Sequence, residues 1–522
     1  MSQMLKSSGA MAFATLTSRL LGMVREMVYA SFMGAGWVAA AFQVAFAVPN
    51  LFRRLLGEGA LTAAFIPIFK DKERNAGEAE MWRAANAVIS GLVIAATAII
   101  GLGLAVISIL LAVHDFSEQT GLMLRLLRVM FPYLLPVCLA AVLMGMLNAR
   151  GHFFIPAMGA TMLNVVMISS VLLVPGVAAG QPLSLQIFVL AVGVLLAGVA
   201  QTAFQVPSLR REGFRFRWVN PFGEPTVREV VERMIPGTVG VAAFQINVLV
   251  VQNLGLVLGG VGDPIIAPFN YAVRLMELPQ GVFGISLATY LLPTLAGIAA
   301  EKKWDDFRAT LRQGMGYLLL VNSLCAVLLA TLAEPIVRLL FQRGRFDAAD
   351  TANTAFALQC LAFSLVGYSL VNILARACFA LKDTRTPMKI SIACLALNLI
   401  FAVGLIFPLR EGGLGLANTI SSTANCLLLL FALRKKLKTL ALASLRPSLL
   451  PLAASAVLAG AVAWLGQHFW AQHLGHDNLW LKLGEVFVPA GLATLVYGVL
   501  ALTAKVPAAL ELKALVLDKL RG

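Results

Sequence analysis

Six arginines stand inside otherwise apolar stretches, Arg19, Arg25, Arg53, Arg54, Arg274 and Arg376, with Glu26, Glu58 and Glu277 as the nearby acids. A charge at the centre of a membrane helix costs at least about 2.5–3.5 kcal/mol, so each needs a partner, a path to the interface, or water. Guanidinium groups outnumber carboxylates here, and each presents a fork of donors that matches two phosphate oxygens. The chemistry implied is recognition of a multiply charged anion within a membrane, and a diphosphate suits it best. Arg19 and Arg25 are six residues apart, about 600° along an α-helix, so they stand about 120° apart and can border one broad cavity without touching. The competing reading is structural: Arg25 pairs with Glu26 or Glu277, and Arg53 and Arg54 run their stems to an interface.

The elements that must carry these residues are membrane helices. Of the 522 residues, 59% are hydrophobic and only 13% charged, against about 25% charged in an ordinary soluble domain. Apolar stretches of about 20 residues, enough to cross a hydrocarbon core of about 30 Å, recur from end to end. Reading them against polar breaks predicts an all-α polytopic protein of fourteen spans, from 5–32 and 36–69 through 387–407 and 413–433 to 449–466 and 483–504. The second stretch is too long for one straight helix and contains Pro49, Arg53, Arg54 and Gly57, so it is expected to bend or break. The N-terminal apolar run lacks a small-residue cleavage site and continues as helical pattern, so it reads as the first span.

Basic residues set the orientation, because cytoplasmic loops are enriched in Lys and Arg. Lys70, Lys72 and Arg74, then Arg210, Arg211, Arg215 and Arg217, then Lys302 and Lys303, then Arg434, Lys435, Lys436 and Lys438 all fall on one side. The other side has only Arg125, Arg128, Arg338, Arg343, Arg345, Arg410 and Lys482. Both termini are therefore expected in the cytoplasm. The longest basic connection, 209–234, reads as a linker between lobes: 1–208 with six helices, 235–438 with six more, and 439–522 with the last two. Its Arg, Phe and Trp residues suit lipid headgroups better than RNA.

Other classes find little support. The net charge of +15 is scattered in short clusters between apolar stretches, not gathered into a soluble basic domain, so no nucleic-acid partner is expected. The six cysteines lie in or beside apolar segments without metal-ligand or disulfide-scaffold spacing. No Walker A, HExxH or GxSxG sequence is present, so a transporter rather than an enzyme is expected, with no metal site and no cofactor.

Several segments carry a resemblance: SRLLGMVRE at 18–26, PNLFRRLLGEGALTAAFIPIF at 49–69, FFIPAMGATMLN at 153–164, NYAVRLMELPQGVFGISLAT at 270–289, LFQRGRFD at 340–347 and LKDTRTPMKI at 381–390. With them the chain resembles the MurJ (MviN) family of lipid II flippases, within the multidrug/oligosaccharidyl-lipid/polysaccharide (MOP) exporter superfamily. The resemblance implies two six-helix lobes around a central cationic cavity and two C-terminal helices forming a groove for the lipid tail. It implies lipid II as substrate, carried from the inner to the outer leaflet of the bacterial inner membrane by a monomer, with membrane potential as the driving force, the coupling ion left open, and peptidoglycan polymerases as candidate partners. The family's cavity arginines fall on Arg19, Arg25, Arg53 and Arg274, with Glu26, Arg54, Glu58, Glu277 and Asn164 as gating or supporting residues. By the same resemblance, Ala40 and Val273 stand where many members carry an acidic residue and Ala47 where they carry a basic one, which implies a more cationic cavity and leaves open any ion coupling that used those acids. A flippase for another polyprenyl-linked glycan, of the O-antigen type, or a drug exporter of the same superfamily is the alternative; acidic cavity residues would suit the latter.

Overall fold

In the computed structural model, residues 2–58, 60–259, 262, 264–438 and 446–521 are described, and among them the chain is helical, with no strand. Side chains of 2–16, 56–58, 60, 62–63, 236–241, 243–244, 446, 515–516 and 519–521 lie outside the description. Two compact units part between Ala267 and Pro268, with Arg343–Phe346 belonging to the first.

The first unit begins with α1 (Ser2–Met33), α2 (Trp37–Phe52) and α3 (Ala60–Asn75). Between α2 and α3 lies a π-helical turn, Arg53–Glu58, four residues beyond Pro49. That is the break the sequence predicts, since Pro49 donates no amide and crowds the preceding turn. There follow α4 (Glu78–Val113), α5 (Glu118–Met130), α6 (Leu134–Ala149), α7 (Phe154–Val177), α8 (Leu183–Arg211) and α9 (Pro225–Gly259).

The basic linker is tied down by α4. Asn86 Nδ2 donates to the Arg215 carbonyl at 3.1 Å, the Arg217 amide donates to Asn86 Oδ1 at 3.2 Å, and the Val219 amide donates to Ser90 Oγ at 3.3 Å. An aromatic chain, Phe65–Phe69–Trp82–Phe214, seals the same end, with centroids 5.4 to 5.6 Å apart. Beyond the linker, α9 packs on α2, α3 and α4. Compactness therefore groups 235–259 with the preceding helices, whereas the sequence reading starts a lobe at residue 235.

The second unit holds α10 (Ile266–Pro279), α11 (Ser286–Ala300), α12 (Trp304–Thr331), α13 (Ala333–Phe341), α14 (Ala348–Ala362) and α15 (Ser364–Ala380). A second π-helical turn, Gln280–Ile285, again follows a proline, Pro279. Then come α16 (Arg385–Lys436), α17 (Arg446–His473), α18 (Leu479–Thr503) and α19 (Pro507–Arg521).

One apolar cluster joins α11, α12, α15 and α16, with Leu291, Leu311, Ile373 and Leu429 among its buried members. A second joins α12 to α17, α18 and α19 through Leu320, Ala459, Ala493, Tyr497 and Ala508. An ion pair anchors α18 further: Arg338 of α13 donates to Glu485 Oε1 at 2.7 Å and also pairs with Glu334. Glu485 is fully buried, so the guanidinium offsets a large desolvation cost.

Among the described residues, nine helices are long and apolar enough to cross a bilayer, or ten if α14 and α15, bent by 43°, count as one span. That count falls short of the fourteen expected, and α16 supplies part of the difference. Its 52 residues would reach about 78 Å if straight, far more than one crossing needs. Arg410 breaks it with φ 52° and ψ −126°. Asn398 Nδ2 donates to Ser421 Oγ at 3.2 Å, so the halves run back along each other. The sequence reading places its break between 407 and 413, around this residue.

Candidate functional site

The sequence-selected residues divide between the units. Arg19, Arg25, Glu26, Arg53, Arg54, Glu58 and Asn164 lie in the first; Arg274 and Glu277 lie in the second, on α10.

In the first unit, α1 and α2 join through a tight turn in which the Gly34 amide donates to the Ala30 carbonyl at 2.9 Å, with Gly34 at φ 62°. Tyr29 and Phe42 then meet edge to face across the two helices, centroids 6.0 Å apart. From that contact Arg19 lies ten residues back along α1, and Arg53 lies eleven residues on, at the start of the π-helical turn that follows α2. Arg25 sits nearer the turn, four residues before Tyr29.

Each has a distinct setting. Arg19 is exposed on α1, and one residue before it the Ser18 carbonyl accepts from Asn164 Nδ2 of α7 at 3.1 Å. The buried Asn164 thus ties α7 to the backbone next to Arg19. Arg25 is half-buried, 2.5 Å from Glu26 Oε1, and its guanidinium carbon lies 5.5 Å from the Tyr29 ring centroid. Arg53 Nε donates to Asn50 Oδ1 at 3.1 Å, and Asn50 Nδ2 donates to the Phe46 carbonyl at 3.2 Å. Arg54, the next residue, is exposed. The side chain of Glu58 lies outside the described residues.

In the second unit, Arg274 Nη1 donates to Glu277 Oε2 at 2.8 Å, and both side chains are about half exposed. Arg376 of α15 donates to Thr289 Oγ1 of α11 at 2.9 Å, which gives that sixth arginine a role in packing. Ala40 is fully buried, while Ala47 and Val273 are partly buried.

Two of the arginines thus carry a carboxylate from their own helix. Such a partner lowers the cost of holding a cation in an apolar span and can be exchanged for a more highly charged anion. Sequence reading missed Asn50 and Tyr29, which hold Arg53 and Arg25. Asn50 was legible as a polar side chain one turn before Arg53; Tyr29 was not, because an aromatic residue four positions from an arginine in a membrane helix is ordinarily taken for packing.

At the basic end of the first unit a second polar cluster gathers helix termini. Arg150, just past α6, pairs with Glu73 of α3, with Glu78 Oε1 of α4 at 3.0 Å and with Glu212 Oε2 at 2.9 Å just past α8. His152 Nε2 lies 2.8 Å from Glu212 Oε1, and Lys70 Nζ lies 2.7 Å from Glu73 Oε2. Hydrogen bonds from His152 and Arg150 hold the Glu212 carboxyl below its ordinary range. Lys70 and Arg150 do the same for Glu73, against an opposing effect of burial.

Comparison with known proteins gives a consistent answer. The family model described as lipid II flippase MurJ matches residues 29–483, a range that includes Arg53 and Arg274 but begins after Arg19 and Arg25. The chain is 31% identical over 431 residues to the lipid II flippase MurJ of Burkholderia cenocepacia, covering 81% of this chain and 82% of that one. It is 32% identical over 497 residues to a Rhizobium tropici protein named probable lipid II flippase MurJ, covering 94% and 92%. Among solved structures, a lipid II flippase MurJ in an inward closed conformation superposes with a TM-score of 0.75 at 22% identity, covering 93% of this chain and 97% of that one. An inward-facing MATE-family multidrug transporter of the MOP superfamily superposes with a TM-score of 0.66 at 16% identity, covering 81% and 95%. Together with its many apolar spans, these matches make the chain a multi-pass membrane transporter: it belongs to the MurJ family of lipid II flippases.

Proposed function

We propose that this protein carries lipid II, undecaprenyl diphosphate bearing a disaccharide-pentapeptide, from the inner to the outer leaflet of the bacterial cytoplasmic membrane by alternating access of two lobes. The observation that carries this reading is family membership across most of the chain together with the excess of in-span arginine over carboxylate. The headgroup would cross hydrocarbon alone at prohibitive cost, because each unsatisfied polar group costs several kcal/mol there. A cationic cavity removes that barrier. In this reading Arg19, Arg25 and Arg274 take the diphosphate, Arg53 at the start of the π-helical turn acts in gating, and the polyprenyl tail stays in lipid or in a groove formed by α17 and α18.

The paired carboxylates fit a cycle. When empty, Glu26 and Glu277 neutralise Arg25 and Arg274; an arriving diphosphate displaces them and is displaced in turn on release. Membrane potential supplies direction: one charge crossing 100 mV is worth about 2.3 kcal/mol, so a doubly charged diphosphate leaving a negative interior gains about 4.6 kcal/mol. The basic loops face the cytoplasm in this scheme, as do both termini, and one chain encloses one pathway.

The test is complementation of a flippase-depletion strain with the wild type and with Arg19→Ala, Arg25→Ala and Arg274→Ala, alongside immunoblots of membrane levels and an assay of outer-leaflet lipid II. Rescue by the wild type, and loss of rescue by well-expressed variants, is the expected result. Failure of a well-expressed wild type would point instead to another polyprenyl-linked glycan. Rescue by all three variants would remove the arginine site.

A further inference from the structure

The segment between α8 and α9 runs along α4 without helix or strand. Phe214 packs on Trp82, the backbone of Arg215 and Arg217 meets Asn86, the Val219 amide meets Ser90, and Pro221 closes on Gly91, where an added Cβ would lie 3.4 Å from the proline. The surface of α4 changes character just beyond that contact. Ala84–Ser90 are buried throughout, whereas from Ala95 to Val113 exposed residues recur at each turn, Leu102, Val106, Ile109 and Leu110 among them. That lipid-facing stretch rises about 28 Å, close to a hydrocarbon thickness of about 30 Å. The strap beside Trp82–Gly91 therefore stands just outside the hydrocarbon, at the headgroup level.

The strap presents both charge and apolar surface there. Phe216, Trp218 and Phe222 are 53%, 57% and 75% exposed. Arg215 and Arg217 alternate with the first two and are exposed as well, as are Arg210 and Arg211 at the end of α8. Among the described residues none of these four arginines forms a salt bridge. The acids around them have other partners: Glu212 pairs with Arg150 and His152, Glu224 lies 3.7 Å from Arg83, and on α9 Arg228 pairs with Glu232 and Arg233 with Glu229. Over 70–83, Arg150 and 210–224 together, nine basic residues face six acidic ones, so the excess is positive.

An acidic lipid surface satisfies both features at that level. Guanidinium forks match lipid phosphates, and aromatic rings settle at the boundary between headgroups and hydrocarbon. We infer that the strap 210–222 is a surface anchor that binds anionic phospholipid, phosphatidylglycerol being the simplest, through Arg215 and Arg217, with Trp218 and Phe222 set into the same leaflet. The connection between α8 and α9 is then held from two sides, by α4 within the protein and by lipid outside it. The anchor uses none of the in-span arginines and is independent of the diphosphate pathway proposed above.

Two local readouts on the full chain test this. The first is hydrogen exchange of segment 212–224 in nanodiscs of phosphatidylcholine alone or mixed with phosphatidylglycerol. The anionic lipid should slow exchange by about fivefold or more, the scale of one basic residue held at a charged lipid surface, and raised salt should weaken the effect. The double variant Arg215→Gln, Arg217→Gln should exchange alike in both lipids. It keeps the attachment to α4, because the backbone of these residues, not their side chains, bonds Asn86. Equal exchange of the wild type in the two lipids, or an unchanged lipid effect in the double variant, would overturn the assignment. Equal protection by a single-stranded RNA oligonucleotide in phosphatidylcholine alone would reassign the strap to a soluble polyanion and refute the lipid anchor. The second readout is the fluorescence of Trp218, taken as the difference between wild type and Trp218→Phe, in vesicles whose lipids carry bromine high or low on the acyl chain. Quenching should be about twofold stronger by the shallow bromine; absent quenching, or stronger quenching by the deep one, would contradict placement at the headgroup level.

Discussion

Arg274 and Glu277 occupy successive turns of α10, and their 2.8 Å contact restrains a side chain that must later exchange partners. Removing the carboxylate leaves the cation competing for substrate without an internal rival. Glu277→Gln should therefore tighten binding of a soluble diphosphate analogue by about two- to fivefold, the effect of a half-exposed ion pair worth up to about 1 kcal/mol. It should also slow turnover, because release then lacks the returning carboxylate. Calorimetry on the purified protein measures the first effect and lipid II accessibility in proteoliposomes the second; weaker binding by the variant would refute the exchange scheme. The arginines themselves were legible from the sequence because charge inside an apolar run is conspicuous. Their local partners were less so, since Asn50 and Tyr29 become relevant only once helical spacing and rotamer place them beside a guanidinium.

At the scale of elements, breaks matter as much as helices. Both π-helical turns follow a proline; Arg53–Glu58 itself carries Arg53 and Arg54, and Gln280–Ile285 adjoins α10, which bears Arg274. Backbone irregularity of this kind within a span marks places where a helix can bend or present polar groups. The reversal inside α16 is the sharpest. A Cβ added to Gly413 would lie 2.2 Å from the Leu405 carbonyl oxygen, so backbone blocks it and no side-chain rotation relieves it. Gly413→Ala should destabilise the protein in detergent by about 1–3 kcal/mol, the range for overpacking. Gly404→Ala, where a Cβ meets nothing within 4 Å, should change stability little. Comparison of their thermal unfolding checks both, and equal stability of the two variants would contradict the tight reversal.

On the largest scale, the cluster around Arg150 couples α3, α4, α6 and α8 at one end of the first unit. Glu73 and Glu212 there are more acidic in the folded protein than in the unfolded chain. Their contribution is therefore complete above the unfolded carboxylate value of about 4.3 and is lost as pH falls through the lower folded values. Thermal stability in detergent should fall as pH drops below about 4.3. Arg150→Gln should lower stability at neutral pH and flatten that acid dependence, while a parallel pH profile in the variant would deny the cluster this role. The sequence by itself determined the membrane class and the breaks near Pro49 and around residue 410. These are properties of composition and local spacing, set by what a residue type costs in hydrocarbon. Only tertiary structure decided that Asn86 and Ser90 pin the linker, that α9 packs with the first unit, and that Arg150 gathers carboxylates from three other segments. It also decided that Glu511 meets Gln313 and Tyr317. Such contacts join residues far apart in the chain, and a side chain's own identity does not specify which distant group will satisfy it; the packing of helices does.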